Sequence, residues 1–167
     1  MDSVILCLLL AAVAGTGDRP QLLAALLSAR FGPAPSLFAG GLLASAANAT
    51  ASAIAGRYIG ALMADSPRLL LLGMALGFAA AGMIGARLMG RLRPVDRLEG
   101  WKIGPFFTGG LGLGILQAGD KTQFIIFAVS ALTMAPAGAA VGGTLGAFVP
   151  VALALVLGNR TGTAFPV

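Results

Sequence analysis

From Leu69 to Ala86 the chain carries no charged side chain. About 20 apolar residues in helical form cross the hydrocarbon of a bilayer, so a run of this length and character is that of a membrane span. Similar runs fill most of the sequence, at about 4–29, 35–64, 103–131 and 136–158. Inside lipid every backbone N–H and C=O has to find its partner within the protein, which leaves helices or closed barrels. Runs of this length specify helices. The expected fold is an all-α integral membrane protein with about five transmembrane helices.

Composition agrees. Hydrophobic residues make up 57% and charged residues 10% of the chain, against about 25% charged in a soluble domain. Mean hydropathy is +0.92. The abundance of Gly and Ala suits helices that approach closely through small residues. The sequence has no His, and Cys7 is its lone Cys, which rules out His/Cys zinc sites and an intrachain disulfide. The first 16 residues imitate a secretory signal. Their leading end offers Asp2 and no Lys or Arg, which argues for retention as a span.

The net charge of +5 is not a nucleic-acid signature, because much of it sits in one place. Arg87, Arg91, Arg93, Arg97 and Lys102 cluster around the loop 90–102, beside Trp101, an interface type of residue. Arg30 and Arg160 fall on the same side of the spans, and Arg57 and Arg68 on the other. The positive-inside bias then places loop 90–102 in the cytoplasm and the N-terminus outside; size and the lack of sorting signals suggest a membrane of bacterial inner (cell) membrane type. At the start of the third span, Asp65 and Ser66 are expected to cap the helix, with Pro67 in its first turn.

Two of the apolar runs are interrupted by charge. Gly15-Thr16-Gly17-Asp18-Arg19-Pro20-Gln21 lies in the first, and Gln117-Ala118-Gly119-Asp120-Lys121-Thr122-Gln123 in the fourth. Ionisable groups at membrane depth cost about 2.5–3.5 kcal/mol each on insertion scales and mark function by default. At the offset that carries Asp18 onto Asp120, Gly17 meets Gly119, Arg19 meets Lys121 and Gln21 meets Gln123. Gly40 also meets Gly142, and Gly56 meets Gly158. A shared Gly-Asp-basic-x-Gln marks a duplication. It divides the chain into a first repeat of three helices at 1–89, the basic loop 90–102, and a second repeat at 103–167 that lacks its last helix. Three spans per copy make the repeats inverted, an architecture of secondary transporters with the site at the midplane. Gly17 and Pro20 should break or kink the first span.

A hard divalent cation takes oxygen ligands, and manganese accepts the same set. The motifs offer Asp18, Asp120, Gln21, Gln117, Gln123, Thr16 and Thr122. Metal and proton would compete for the two carboxylates, which amounts to antiport. Alternatively, Asp18 and Asp120 serve only as structural partners of Arg19 and Lys121. The two basic residues would more naturally reach an interface, a carbonyl or an Asp of the other repeat than touch substrate. Gln21 and Gln123 divide between ligand and interhelical glue, and Asn48 leans towards glue. The chain holds no nucleophile–base set, phosphate loop or cofactor motif, so an enzyme is not expected.

The paired motif resembles the Glu-x-Gly-Asp-(Lys/Arg)-(Thr/Ser) signature of the Gdt-one-type cation–proton antiporters, over essentially the whole chain. Gly119, Asp120, Lys121 and Thr122 match closely; Gly17, Asp18 and Arg19 match more loosely. The resemblance implies export of manganese or calcium in exchange for protons, with the motif acids of both repeats forming the cation site and no resident cofactor. Three departures stand out. The family's Glu is Gly15 in one motif and Gln117 in the other, the first hydroxyl position is Pro20, and five spans are read where the family has six. Two lost glutamates point to weakened binding. They keep open a transport-inactive regulatory relative, or an exporter of a small anionic or zwitterionic solute bound by Arg19 and Lys121. A homodimer would supply contacts that a missing sixth span leaves open.

Overall fold

The computed structural model describes residues 2–32, 34–88 and 104–161, and all its regular structure there is helical. The helices are α1 (Asp2–Gly15), α2 (Arg19–Phe31), α3 (Pro35–Ala61), α4 (Asp65–Leu88), α5 (Pro105–Gln117), α6 (Lys121–Thr133) and α7 (Pro136–Thr161). Three stretches are long and apolar enough to cross a bilayer: Pro35–Ala61, Asp65–Gly85 and Pro136–Gly158. A fourth is the pair Ser3–Gly15 and Arg19–Phe31, bent by 71°. The chain is thus a multi-pass helical membrane protein. The basic loop 90–102, with Trp101, lies outside the described residues.

The first expected span is indeed broken, between Gly15 and Arg19. Gly17 supplies the turn with φ +79°, a left-handed conformation that costs glycine little. Pro20 does not kink a continuous helix. It sits in the first turn of α2, where its missing N–H would have had no intrahelical partner. The fourth expected span is broken in the same way, with Gly119 at φ +77°. Each of its halves has 13 residues, about 20 Å of helix at 1.5 Å per residue, less than a membrane thickness.

Helix bounds follow the repeat. Arg19–Phe31 and Lys121–Thr133 begin and end at the offset that relates Asp18 to Asp120. The packing follows it too. The long helices α3 and α7 lie against each other, and each is flanked by the broken pair of the other half: α5 and α6 on α3, α1 and α2 on α7. A Cβ on Gly56 would fall on the Phe127 carbonyl, and one on Gly158 on the Ala25 carbonyl. Ser28 donates to the Leu155 carbonyl at 2.5 Å, and Ser130 to the Ala53 carbonyl at 2.6 Å. Each of these contacts maps onto its mate by the same offset. Small residues therefore bring backbones together, and hydroxyls bridge helices in their place, as expected where lipid is as apolar as the core.

Helix α4 stands apart. It packs chiefly on α6, with Phe78 edge-on to Phe124 at 6.5 Å. Its Gly73, Gly77 and Gly85 face open space rather than a close neighbour, and the small residues it buries are Ala75 and Ala79. Asp65 does not cap it from outside. Asp65 is its first residue and bonds Arg68 at 2.9 Å, while Arg68 also donates to the Gly60 carbonyl at 2.9 Å, fixing the α3–α4 turn.

Candidate cation site

The two breaks meet. Around them lies a cavity of about 20 Å³, lined on the polar side by Asp18, Asp120, Gln117, Gln123, Thr122, Ser45 and Asn48, and elsewhere by Gly15, Pro150 and apolar neighbours. One water needs roughly 10–15 Å³ on this measure, so the space suits a single small ion. The C-terminal ends of α1 and α5 and the N-terminal ends of α2 and α6 converge there. Broken helices bring carbonyl-rich and amide-rich ends to one point without regular backbone facing lipid.

Asp18 and Asp120 are the N-cap residues of α2 and α6, yet they are used differently. Asp120 folds back onto its own helix, where Oδ1 accepts from the Lys121 backbone N–H at 2.8 Å and Oδ2 from Thr122 Oγ1 at 3.4 Å. Asp18 makes no such cap. Its Oδ1 accepts from Lys121 Nζ at 2.5 Å, across the two halves of the chain. Its Oδ2 is buried without a hydrogen-bond partner. Gln117 is 6% exposed. It donates through Nε2 to Ser45 Oγ at 3.0 Å, and its Oε1 is likewise buried and unpartnered. Two residues lining one cavity thus each hold an oxygen without a donor. Buried acceptors are seldom left so, and a cation is the partner that needs no donor hydrogen.

The remaining motif residues divide. Gln21 and Gln123 turn back at each break: Gln21 Oε1 accepts from Gly17 N at 2.7 Å, and Gln123 Oε1 from Gly119 N at 2.8 Å. This is close kin of a capping box, one residue further out. Gln21 is absent from the cavity lining, whereas Gln123 lines it and donates to Asn48 Oδ1 at 2.7 Å. Asn48 donates in turn to the Gly114 carbonyl at 3.1 Å, tying α3 to both α5 and α6. Thr16 is spent on the Val13 carbonyl at 2.6 Å. Arg19 is exposed and does not line the cavity. Lys121 thus reaches an Asp of the other half, one of the placements expected of the two basic residues, while Arg19 stays outside. Two carboxylates against the Lys121 ammonium leave one net negative charge at the cavity.

Ser45 and the Gly15–Pro150 contact were not anticipated. A Cβ on Gly15 would come 2.9 Å from Pro150 Cγ. At the repeat offset, Ser45 and Asn48 correspond to Ala147 and Pro150. So the facing helix is polar where the motif holds Gln117, and apolar where it holds Gly15. That correspondence could have been read by sliding the repeat further along α3 and α7. Among the described residues no cluster of three or more His, Cys, Asp or Glu forms a metal centre; the donor set consists of two carboxylates supplemented by amide and hydroxyl oxygens.

The fold is that of a helical membrane protein with a small polar cavity between two broken helices, the kind of place where membrane transporters hold their substrates. Comparison with protein families matches residues 3–91, more than half the chain, to the family described as Divalent cation/proton antiporter GDT1. The chain belongs to that family, whose members are transporters. No curated protein and no solved structure matches it.

Proposed function

We propose that the cavity between the two breaks is the substrate site of this antiporter, and that manganese or calcium is exported through it in exchange for protons. The observation that carries the reading is the pair of unpartnered buried oxygens, Asp18 Oδ2 and Gln117 Oε1, on residues that line one cavity. Asp120, Thr122, Asn48 and Ser45 add carboxylate, hydroxyl and amide oxygens to the lining, the ligand types that hard divalent cations accept. A carboxylate must lose its proton to hold a metal, so a proton and a metal exclude each other at Asp18 and Asp120. With no glutamate at position 15 or 117, the site holds its cation weakly. Gln21 acts on the turn rather than the ion, and Gly17 and Gly119 make the turns possible.

The anionic-solute reading finds less support. Lys121 is engaged by Asp18 and Arg19 stands outside the cavity, which leaves an anion no cation of its own. The matched bounds of α2 and α6, together with the distribution of basic residues, support an inverted arrangement with the N-terminus outside and loop 90–102 in the cytoplasm.

Proteoliposomes loaded with a pH-sensitive dye test this reading. Manganese or calcium should drive proton flux through the native protein, and Asp18→Asn and Asp120→Asn should each abolish it. Folded, inserted protein that moves neither metal would sink the transport reading in favour of an inactive relative.

A further inference from the structure

The Asp18–Lys121 pair links opposite halves of the molecule at the cavity wall. Both side chains are largely buried, 14% and 11% exposed. Lys121 passes over its neighbour Asp120, which instead accepts from the Lys121 backbone, and reaches the carboxylate of the other half. Its stem runs past Gly82 of α4, with Cδ 3.5 Å from where a Cβ would stand. Its counterpart Arg19 is exposed and takes no place at the cavity, so only one of the two motif carboxylates carries such a cation. The ammonium covers one oxygen of Asp18 and leaves the other bare.

This arrangement answers a physical difficulty. Two carboxylates at one small cavity in a low-dielectric surrounding repel each other when no substrate is present. A divalent cation relieves that repulsion when bound; when it has left, exchanged protons or a cation of the chain itself must do so. We propose that the Lys121 ammonium is a tethered stand-in for the substrate: it holds Asp18 while the site is empty, and the arriving divalent cation displaces it from the carboxylate. This rests on the cation-site reading above and adds a competitor built into the chain. Displacement changes the charge offered to the ion. With Lys121 in place one net negative charge faces the cavity; with it displaced, both carboxylates do. The tether then sets affinity. If the ammonium occupies Asp18 nine-tenths of the time, the apparent affinity for the cation falls about tenfold, because only the remaining fraction is competent to bind.

Calorimetric titration of manganese into the purified full-length protein in detergent tests the tether. Lys121→Met should bind manganese roughly tenfold more tightly than the native chain, and adding Asp18→Asn to it should remove the gain. Native binding with unchanged or weaker affinity in folded Lys121→Met would overturn the tether while leaving the cation site standing. Absence of binding in both folded proteins would overturn both. Should Lys121→Met fail to fold, the native protein still decides. Lys102 and Lys121 are the lysines of the sequence, so Nζ-labelled lysine yields one signal for each. Calcium at a concentration that saturates the calorimetric site should shift the Lys121 signal and leave that of Lys102 in place. A Lys121 signal that does not move at saturation rules out displacement.

Discussion

Pro150 occupies the space that a side chain at position 15 would need: its Cγ stands 2.9 Å from where a Gly15 Cβ would be. The two residues are coupled across α1 and α7, and at the equivalent place in the other half Gln117 faces Ser45 and Asn48 instead. Where the family motif has a glutamate, position 15 is a glycine whose Cβ place is closed off by Pro150.

Restoring the carboxylate should need both positions. Gly15→Glu alone should destabilise the protein by about 1–3 kcal/mol, the usual cost of overpacking, because a proline ring cannot swing away as a flexible side-chain end does. Gly15→Glu with Pro150→Ala should recover the thermal stability and bind manganese more tightly than the native chain. Pro150→Ala also returns a backbone N–H to the interior of α7, where proline supplies none. Melting temperatures in detergent with metal titrations of the single and double variants check this. Equal melting temperatures for the native and Gly15→Glu proteins would show that the site yields without Pro150 moving.

Ser28 and Ser130 offer a test of the repeat itself. Each hydroxyl is fully buried and donates to a carbonyl of the long helix contributed by the other half. Interhelical hydrogen bonds in membranes contribute about 0.6 kcal/mol on average, with a maximum near 1.7. Ser28→Ala and Ser130→Ala should each cost a loss in that range, similar in size, and additive in the double variant because the sites share no partner. A large effect at one position and none at the other would mean that the two contacts are not equivalent.

The backbone approach at Gly56 and Gly158 should be less forgiving. Gly56→Ala and Gly158→Ala place a methyl against a carbonyl of the neighbouring helix and should lower the melting temperature clearly. Gly73→Ala and Gly77→Ala, in the open stretch of α4, should be neutral or mildly stabilising through helix propensity. A series of four alanine variants measured side by side separates glycine as a packing device from glycine as a bystander.

Much of this architecture was legible in the sequence. Apolar runs specified the long helices, and Gly17 with Pro20 specified the first break. The recurring Gly-Asp-basic-x-Gln aligned Gly40 with Gly142 and Gly56 with Gly158, all four of which prove to be close-approach positions. The second break was carried by Gly119 alone, without a proline to announce it. What the sequence withheld depends on which atoms meet. Gln21 and Gln123 read as ligand or glue, and Gln123 does tie α6 to α3 through Asn48; what was not legible is that the positive φ at each turn leaves a glycine N–H that claims both side-chain oxygens. Two basic residues stand in equivalent motif positions, and only the structure shows that Lys121 reaches Asp18 while Arg19 stays outside the cavity. Ser45 is one serine in a Gly- and Ala-rich helix, and nothing in its neighbourhood distinguishes it from a packing residue until Gln117 is seen to bond it.

The paired glutamines give the sharpest separation of structure from transport. Gln21 and Gln123 make the same bond to the glycine N–H of their own break, at 2.7 and 2.8 Å, so replacing either by Leu should cost a similar amount, on the order of 0.5–1.5 kcal/mol for one hydrogen bond. Only Gln123 extends further. Its amide nitrogen holds Asn48, which ties α3 to α5 at the cavity wall. Gln123→Leu should therefore lower metal-driven flux well beyond its effect on stability, whereas Gln21→Leu should lose stability and keep transport by the protein that remains folded. Asn48→Leu should reproduce the flux loss of Gln123→Leu, and combining the two should add little, because both cut the same bond. Flux normalised to folded, inserted protein is the measurement. Equal losses in Gln21→Leu and Gln123→Leu would show that the turns alone, and not the Gln123–Asn48 bridge, govern the site.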